Sequence, residues 1–571
     1  MAKTIWVCSK KQLGEFTEKK LQNICSCLTP DNITPNKPEI LVEDKLAFAV
    51  VNPNGTQQTK ENSLALGVFF DEIKNWHIPQ KHYPDGSYSM FRYDEKFLEL
   101  VSDATASRAI WYYMDDQQFI ASSSQRAIIL YLDNFEFNEN VIPWMMSTGC
   151  LGPSLSWDKR LNFVPPDSSV VLNRKDWRLK TSTTPIVFKE EKSTEKTHRK
   201  HLENALQKTF ESIKFDYKRW ALPLSGGYDS RGILSYLLST SDTKDLKTLT
   251  WGLKSSLSDK KNDAYLAKRL SGEFNISNQY YFTNLSEEPA EKVLDRFLIN
   301  GEGRLDNFAG YMDGFKLWKT LFDSGIQGII RGDEGMGWTD VSSSLTVRLS
   351  VGLALCSDYS NLRYIAKKHF PDQEIPESLK QRKNESLKQW QDRLYQGYHT
   401  PFILSSLGDL KLSYVEMANP LLSRKILSAV RTLPDYLRKD RALYKKIVNS
   451  RMPKIPIARH HAEAVISNSV RQKKVVDLII KALNSNLASE LFPEELLNQV
   501  LSKIKISDSK KHNEARPFSV PLILKRLLPL KIKNFLKDHA SSRMFMDNNL
   551  MAFRMFIIIK MNELLQEKHE I

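Results

Sequence analysis

The run RWALPLSGGYDSRGILSYLL, residues 219–238, closes an apolar segment with Ser225-Gly226-Gly227, sets Asp229 and Ser230 just beyond it, and then turns helical. Two glycines let the backbone come close to a ligand and aim its N–H groups at it. A helix start adds unpaired donors and a partial positive charge. With the hydroxyls of Ser225 and Ser230, this chemistry suits a phosphate. Asp229 places a negative charge beside that anion, which makes sense where a Mg²⁺ bridges carboxylate and phosphate oxygens. The chain has no GxxxxGK[ST] run, so the loop is not of the Walker A type. A Gly-Gly turn before a helix is by itself more often structural than functional.

The elements around the loop must position it. From about residue 195 the pattern alternates. Strand-like WALPLS leads into helical SRGILSYLLSTS, and strand-like LKTLTWGL into helical DAYLAKRLSGEF. Strand-like QYYFTNL, helices through EKVLDRFLI and GYMDGFKLWKTLFDSG, and strand-like GIIRGDE follow. Such alternation predicts a doubly wound parallel sheet with helices on both faces. Ligands of such sheets bind beyond the carboxyl ends of the strands, where the Gly-Gly loop falls. Residues 1–190 read instead as β-rich, in short runs such as KLAFAVV, LALGVFF, SYSMFRY and FLELVSD, broken by Asn-Pro-Asn-Gly and Pro-Asp-Gly turns. The polar stretch 189–206 reads as a linker passing into a helix. Beyond about 345 the chain reads as mostly helical. The expected division is 1–190, 195–460 and a helical, basic extension 461–571.

The bulk properties leave several partners open. The 571 residues carry 82 Lys and Arg against 67 Asp and Glu, a net charge of +15 that favours anionic partners. No RRM, zinc-finger or helix-turn-helix signature accompanies it, which argues against nucleic acid. Residues 503–537 hold ten of the basic and two of the acidic residues. This segment is a candidate for peripheral contact with a membrane surface, an acidic leader peptide or a glycan lipid. No apolar run approaches the roughly 20 residues of a spanning helix. Five irregularly spaced cysteines without a CxxC pair or secretory signal point to reduced thiols and a cytoplasmic location. The adjacent His460 and His461 face different directions, which disfavours a shared metal.

SGGYDS resembles the SGGxDS pyrophosphate loop of the N-type ATP pyrophosphatases, and its neighbourhood resembles the asparagine synthetase family. TLTWGL, with Gly252, is similar to the family's next strand, and NDAYLAKRL to the helix after it. GIIRGDEGMGW is similar to the loop carrying its Asp-Glu pair, and YVEMANPLLSRKILSAVRTLPDYLRKDRALYKKIV to its late helical segment. DGSYSMFRYDEKFLELVSDATASRAIWYYMDDQQFIASSSQRAI resembles the end of its N-terminal glutaminase domain. The resemblance spans roughly 45–460. It implies an α/β chain with an Ntn-hydrolase-like (αββα) first domain and an ATP-pyrophosphatase second domain. It implies an enzyme, a C–N ligase that uses ATP and Mg²⁺ to adenylate a carboxylate and passes the acyl group to an amine. Leu224, Ser225, Gly226, Gly227, Asp229, Ser230, Gly252 and Gly332 would bind ATP and its pyrophosphate. Asp229 and Asp333 would hold the metal. Glu334 and Lys439 would act in catalysis, with Arg438, Arg441 and Lys445 competing for the part of Lys439.

Two departures narrow this reading. Glutamine-dependent members expose a cysteine at the mature N-terminus, whereas Ala2 stands here and Cys8 lies further in. The family's glutamine-binding segment has no convincing counterpart, so no glutaminase activity is expected. Ile330 falls where asparagine synthetase has a catalytic glutamate. Relatives that join their own amines, such as β-lactam synthetases and lasso-peptide cyclases, share this profile, as do asparagine synthetase-like proteins of surface-polysaccharide pathways. The expected substrate is a small-molecule or peptide carboxylate with an amine donor not identified by sequence. A nucleotide-binding scaffold without catalysis is the non-enzymatic alternative.

Overall fold

The computed structural model describes residues 3–507 and 544–567. The first half holds two antiparallel sheets face to face. One contains β1 (Lys3–Ser9), β2 (Glu39–Val42), β3 (Leu46–Val51), β8 (Trp111–Met114), β9 (Gln118–Ser122) and β10 (Asn162–Phe163), in the order β10-β8-β9-β1-β3-β2. The other contains β4 (Gln58–Lys60), β5 (Ser63–Phe69), β6 (Gly86–Tyr93), β7 (Phe97–Ser102), β11 (Ser168–Asn173) and β12 (Arg178–Thr183), in the order β12-β11-β7-β6-β5-β4. Period-2 alternation builds the layer between them. Trp6, Phe48 and Phe119 face Leu66, Phe91 and Leu100 there, and Trp6 stacks on Phe48 at 4.7 Å.

The opposite face of the first sheet, with Ile5, Val7, Ala47 and Ala49, packs on helices Phe16–Leu28 and Gln125–Leu132. The αββα expectation of helices on both outer faces is met on this side only. The outer face of the second sheet presents Ala65, Tyr88, Met90 and Val101, and Trp76 from the 70–85 loop packs onto it. Phe69 and Tyr83 flank Trp76 there, so aromatic side chains cover this cluster.

The second half is built on a five-stranded sheet. Its strands are β13 (Trp220–Pro223), β14 (Lys247–Gly252), β15 (Ser277–Phe282), β16 (Gly328–Ile330) and β17 (Glu416–Ala418), in the order β15-β14-β13-β16-β17. Every pair is parallel. The chain starts in the middle, winds outward to β15, and returns to the other side of β13. The winding therefore reverses between β13 and β16. Side chains alternate between two cores: Ala221, Leu249 and Ile329 on one face, Leu222, Ile330 and Ala418 on the other. Ile330 is fully buried in that second core and so does not stand at the site.

Three stretches differ from the sequence reading. Residues 310–325 do not form one helix. Gly314 (φ +71°) and Phe315 (φ +64°) are left-handed, and the helix proper is Lys316–Asp323. The mostly helical region beyond 345 contributes β17, three residues too short to show a period. Helix Asn548–Gln566, in the expected extension, buries Phe553, Met555, Ile557 and Ile559 in the core shared with the first half. Its apolar run MAFRMFIIIKM is core, and no helix among the described residues is long and apolar enough to cross a membrane. Most of the basic segment 503–537 lies outside the described residues.

Asp313 holds the break before helix Lys316–Asp323. Its carboxylate accepts the N–H groups of Phe315 (3.1 Å) and Leu317 (3.0 Å). Burial pushes its carboxyl up to about 6, against those two donors. A raised carboxyl means that the fold favours the protonated form. Its contribution is fully present below about pH 4 and is lost as pH rises through about 6. Asp313→Asn keeps an acceptor and cannot ionise. Thermal melts of the two proteins from acid to neutral pH are expected to show the wild type losing about 3 kcal/mol more than the variant.

Candidate active site

The Gly-Gly loop sits at the carboxyl end of β13, with Gly227 as N-cap of helix Tyr228–Thr240. Its N–H groups are engaged within the protein. Ser225 N–H donates to Ser230 Oγ, Gly227 N–H to Ser225 Oγ, and Gly226 N–H to Asp263 Oδ1, each at 3.1 Å. Two serine hydroxyls and one carboxylate thus occupy donors that a phosphate could take over. Thr250 Oγ1 donates to Leu224 O at 2.7 Å and ties β14 to the loop.

Across the winding reversal, the loop after β16 brings Arg331, Gly332 and Asp333 to the same place. A Cβ at Gly332 would lie 3.3 Å from the Cβ of Asp229, so the two loops touch. Each carboxylate has a guanidinium: Asp229 that of Arg441 at 2.8 Å, Asp333 that of Arg331 at 2.8 Å. Burial pushes the Asp229 carboxyl up, Arg441 opposes this, and the Asp333 charge adds to the rise. Glu334 lies behind the pair and is buried. It accepts the Met336 N–H and stands 3.6 Å from Arg441. Burial and the Asp229 charge push it up to about 8.

Lys439 is not brought to this cluster. Its ammonium is half-exposed and pairs with Asp340 at 2.7 Å. Asp440 and Arg441 are both left-handed (φ +51° and +58°), and this double turn points Arg441 inward. A helical wheel drawn through LRKDRALYKK could not anticipate it. Arg438 is buried on Asp392 at 3.1 Å, and Lys445 lies over the Tyr228 ring. Of these four basic residues it is Arg441 that reaches Asp229, one of the sequence alternatives.

A strap formed by residues 455–463 crosses the loop. Arg231, buried under it, donates to Ile455 O (2.7 Å) and Pro456 O (3.0 Å). Ala458 N–H reaches Gly226 O and Leu253 N–H reaches Ala462 O. His460 turns to Asp259 (2.5 Å) and His461 to Asp263 (3.3 Å). The strap is why Gly252 must be glycine. Its φ is +156°, and a Cβ there would meet Ala462 Cβ at 2.5 Å. Gly252→Ala is expected to cost about 1–3 kcal/mol, read by thermal melt. Gly272→Ala is the control: it lies in helix Asp263–Glu273 with nothing within 4 Å, and should be neutral or stabilising.

Between strap, loop and sheet lies a cavity of about 350 Å³. Leu224, Ser225, Asp229, Ser230, Gly332 and Asp333 are among its lining residues, as are Trp251, Tyr311, Trp318, Arg331, Lys411 and Glu463. Arg331 could have been suspected from its place beside Asp333. Lys411, in helix Ser405–Leu412, carries no motif that would single it out.

No family model matches this chain. No curated protein matches it either. Among solved structures, the allosteric regulatory enzyme of purine biosynthesis is similar at a TM-score of 0.21 and 11% identity, over 39% of this chain and 60% of that one. The chain thus spans less than two thirds of the length of that structure. Glutamine phosphoribosylpyrophosphate amidotransferase from B. subtilis is similar at 0.22 and 10% identity, over 55% of this chain and 94% of that one. Likenesses this low say nothing about the activity of this chain, and the reading of the site rests on its geometry.

Proposed function

We propose that the chain is an ATP-dependent ligase that adenylates a carboxylate, releasing pyrophosphate, and transfers the acyl group to an amine or to ammonia. The observation that carries this reading is the meeting of the Ser225–Ser230 loop with Asp333 where the winding of a parallel sheet reverses. Ligands of open α/β sheets bind at such a crevice.

The substrate carboxylate attacks the α-phosphorus, the α–β bridging bond breaks, and pyrophosphate leaves. The amine nitrogen then attacks the acyl carbon, AMP departs, and the nitrogen loses a proton. Ser225, Ser230 and the glycine N–H groups suit the pyrophosphate oxygens. Among the described residues no three His, Cys, Asp or Glu side chains form a metal cage. Two carboxylates on loops that touch would fit a Mg²⁺ brought in by the nucleotide, with Asp229 and Asp333 as its protein ligands. Such an ion supplies charge neutralisation on the leaving group. Arg441, next to Asp229, and Arg331, next to Asp333, would be free to turn to phosphate oxygens once the carboxylates take the ion.

The reading assigns no glutaminase step to the first half. Cys8 is fully buried between the sheets, and burial pushes its thiol up. Lys3, at the start of β1, is buried against Glu302 of the second half.

The test is AMP release from ATP–Mg²⁺ with aspartate, UDP-linked uronic acids or short acidic peptides, each with ammonium and with glutamine. The expected result is AMP with one acid class, supported by ammonium or an amine and not by glutamine. Tight ATP binding with no AMP from any acid would favour the scaffold instead.

A further inference from the structure

Arg441 owes its place beside Asp229 to an unusual turn. Asp440 and Arg441 are left-handed in succession, and neither is glycine. Such a pair is unfavourable by itself and persists where its surroundings hold it. The side chains at 439 and 440 face solvent, and Lys439 reaches across to the exposed Asp340. Buried ties do more. Asp440 N–H donates to Trp338 O at 2.9 Å, across to the end of the Asp333 loop. Arg438, just before the turn, is fully buried.

Both ties lead to one carboxylate. Asp392, in helix Leu387–Leu394, is buried. Its Oδ1 accepts the Trp338 N–H at 3.2 Å and Lys388 Nζ at 2.8 Å. Lys388 Nζ also donates to Trp338 O at 2.8 Å, the carbonyl that takes the Asp440 N–H. Asp392 Oδ2 faces Arg438 Nε at 3.1 Å. The two segments are pressed together there, since a Cβ at the left-handed Gly337 would lie 2.1 Å from Arg438 O. One oxygen of Asp392 thus holds the end of the Asp333 loop, and the other holds the start of the Arg441 turn. A buried ion shared in this way fixes the two segments relative to each other, because losing either contact leaves a charged or polar group away from water.

We propose that Asp392 is a positioning residue, which aims Arg441 at Asp229 by clamping Trp338 and Arg438 together behind the site. The proposal rests on the ligase reading only in taking Arg441 as a group that meets the nucleotide. With the clamp in place, the left-handed turn at 440–441 delivers the guanidinium to the loop. Without it, Asp440 and Arg441 relax to an ordinary backbone conformation, and the guanidinium is carried away from Asp229.

Crystal structures of full-length Asp392→Asn and of the double variant Lys388→Met/Asp392→Asn test this. The double variant removes both charges, so no ammonium is stranded if the single one fails to fold. The expected result is a 440–441 turn no longer left-handed, with Arg441 beyond ion-pairing distance of Asp229. Arg441 still paired with Asp229 in these variants would overturn the proposal. Calorimetric titration with ATP–Mg²⁺ gives a readout that a merely structural role would not move. Asp392→Asn and Arg441→Met are each expected to weaken binding about tenfold, and the two together no more than Arg441→Met alone. Losses that multiply in the combined variant would mean that Asp392 does not act through Arg441, and would also overturn it. Absence of ATP–Mg²⁺ binding by wild type would sink the ligase reading, while the place of Arg441 in the variant crystals would still decide the clamp.

Discussion

Asp229→Ala is expected to lower AMP release at least about a thousandfold while leaving the chain folded. The side chain stands where loop, helix start and the Gly332 turn converge, and no other carboxylate on the loop can replace it. It is also held against its own preference, since burial pushes its carboxyl up and Asp333 adds to the rise. Removing it relieves that crowding, so the melting temperature should hold or increase. A drop in AMP with an intact melt would separate a catalytic role from a structural one. Activity within about tenfold of wild type would mean that the metal and pyrophosphate lie elsewhere.

Glu302→Ala is expected to have the largest effect on stability. Glu302 follows helix Ala290–Gly301 in a left-handed conformation and reaches into the first half. Its carboxylate accepts Lys3 Nζ (3.4 Å), the Ser124 hydroxyl and Gln125 N–H (2.9 Å). Its carbonyl accepts the Trp157 indole N–H at 2.7 Å. All of these groups are buried. Alanine would strand an ammonium, a hydroxyl and an amide N–H away from water, at a cost of about 3–5 kcal/mol. Thermal melts are expected to show a large fall. Adding Lys3→Met to the variant should recover part of it, because the stranded charge is then gone. A double variant no more stable than the single one would place the cost elsewhere.

The strand, Gly-Gly turn and helix at 220–240 were legible because apolar periodicity, turn chemistry and helix start all agree there. The parallel sheet followed from alternation alone. Other elements lacked such agreement. β1 is a short apolar run buried on both faces, so it has no period to betray it. The break at Asp313-Gly314 was hidden inside a convincing helical pattern. Lys439 and Arg441 look equivalent in sequence, and two left-handed residues decide between them.

The central claim is that the bond broken in ATP joins the α- and β-phosphates. Acid-dependent exchange of labelled pyrophosphate into ATP by the wild-type chain tests it most directly. Exchange that requires a carboxylic acid and Mg²⁺, with AMP as the nucleotide product, is the predicted result. ADP and inorganic phosphate as products, with no exchange, would contradict it.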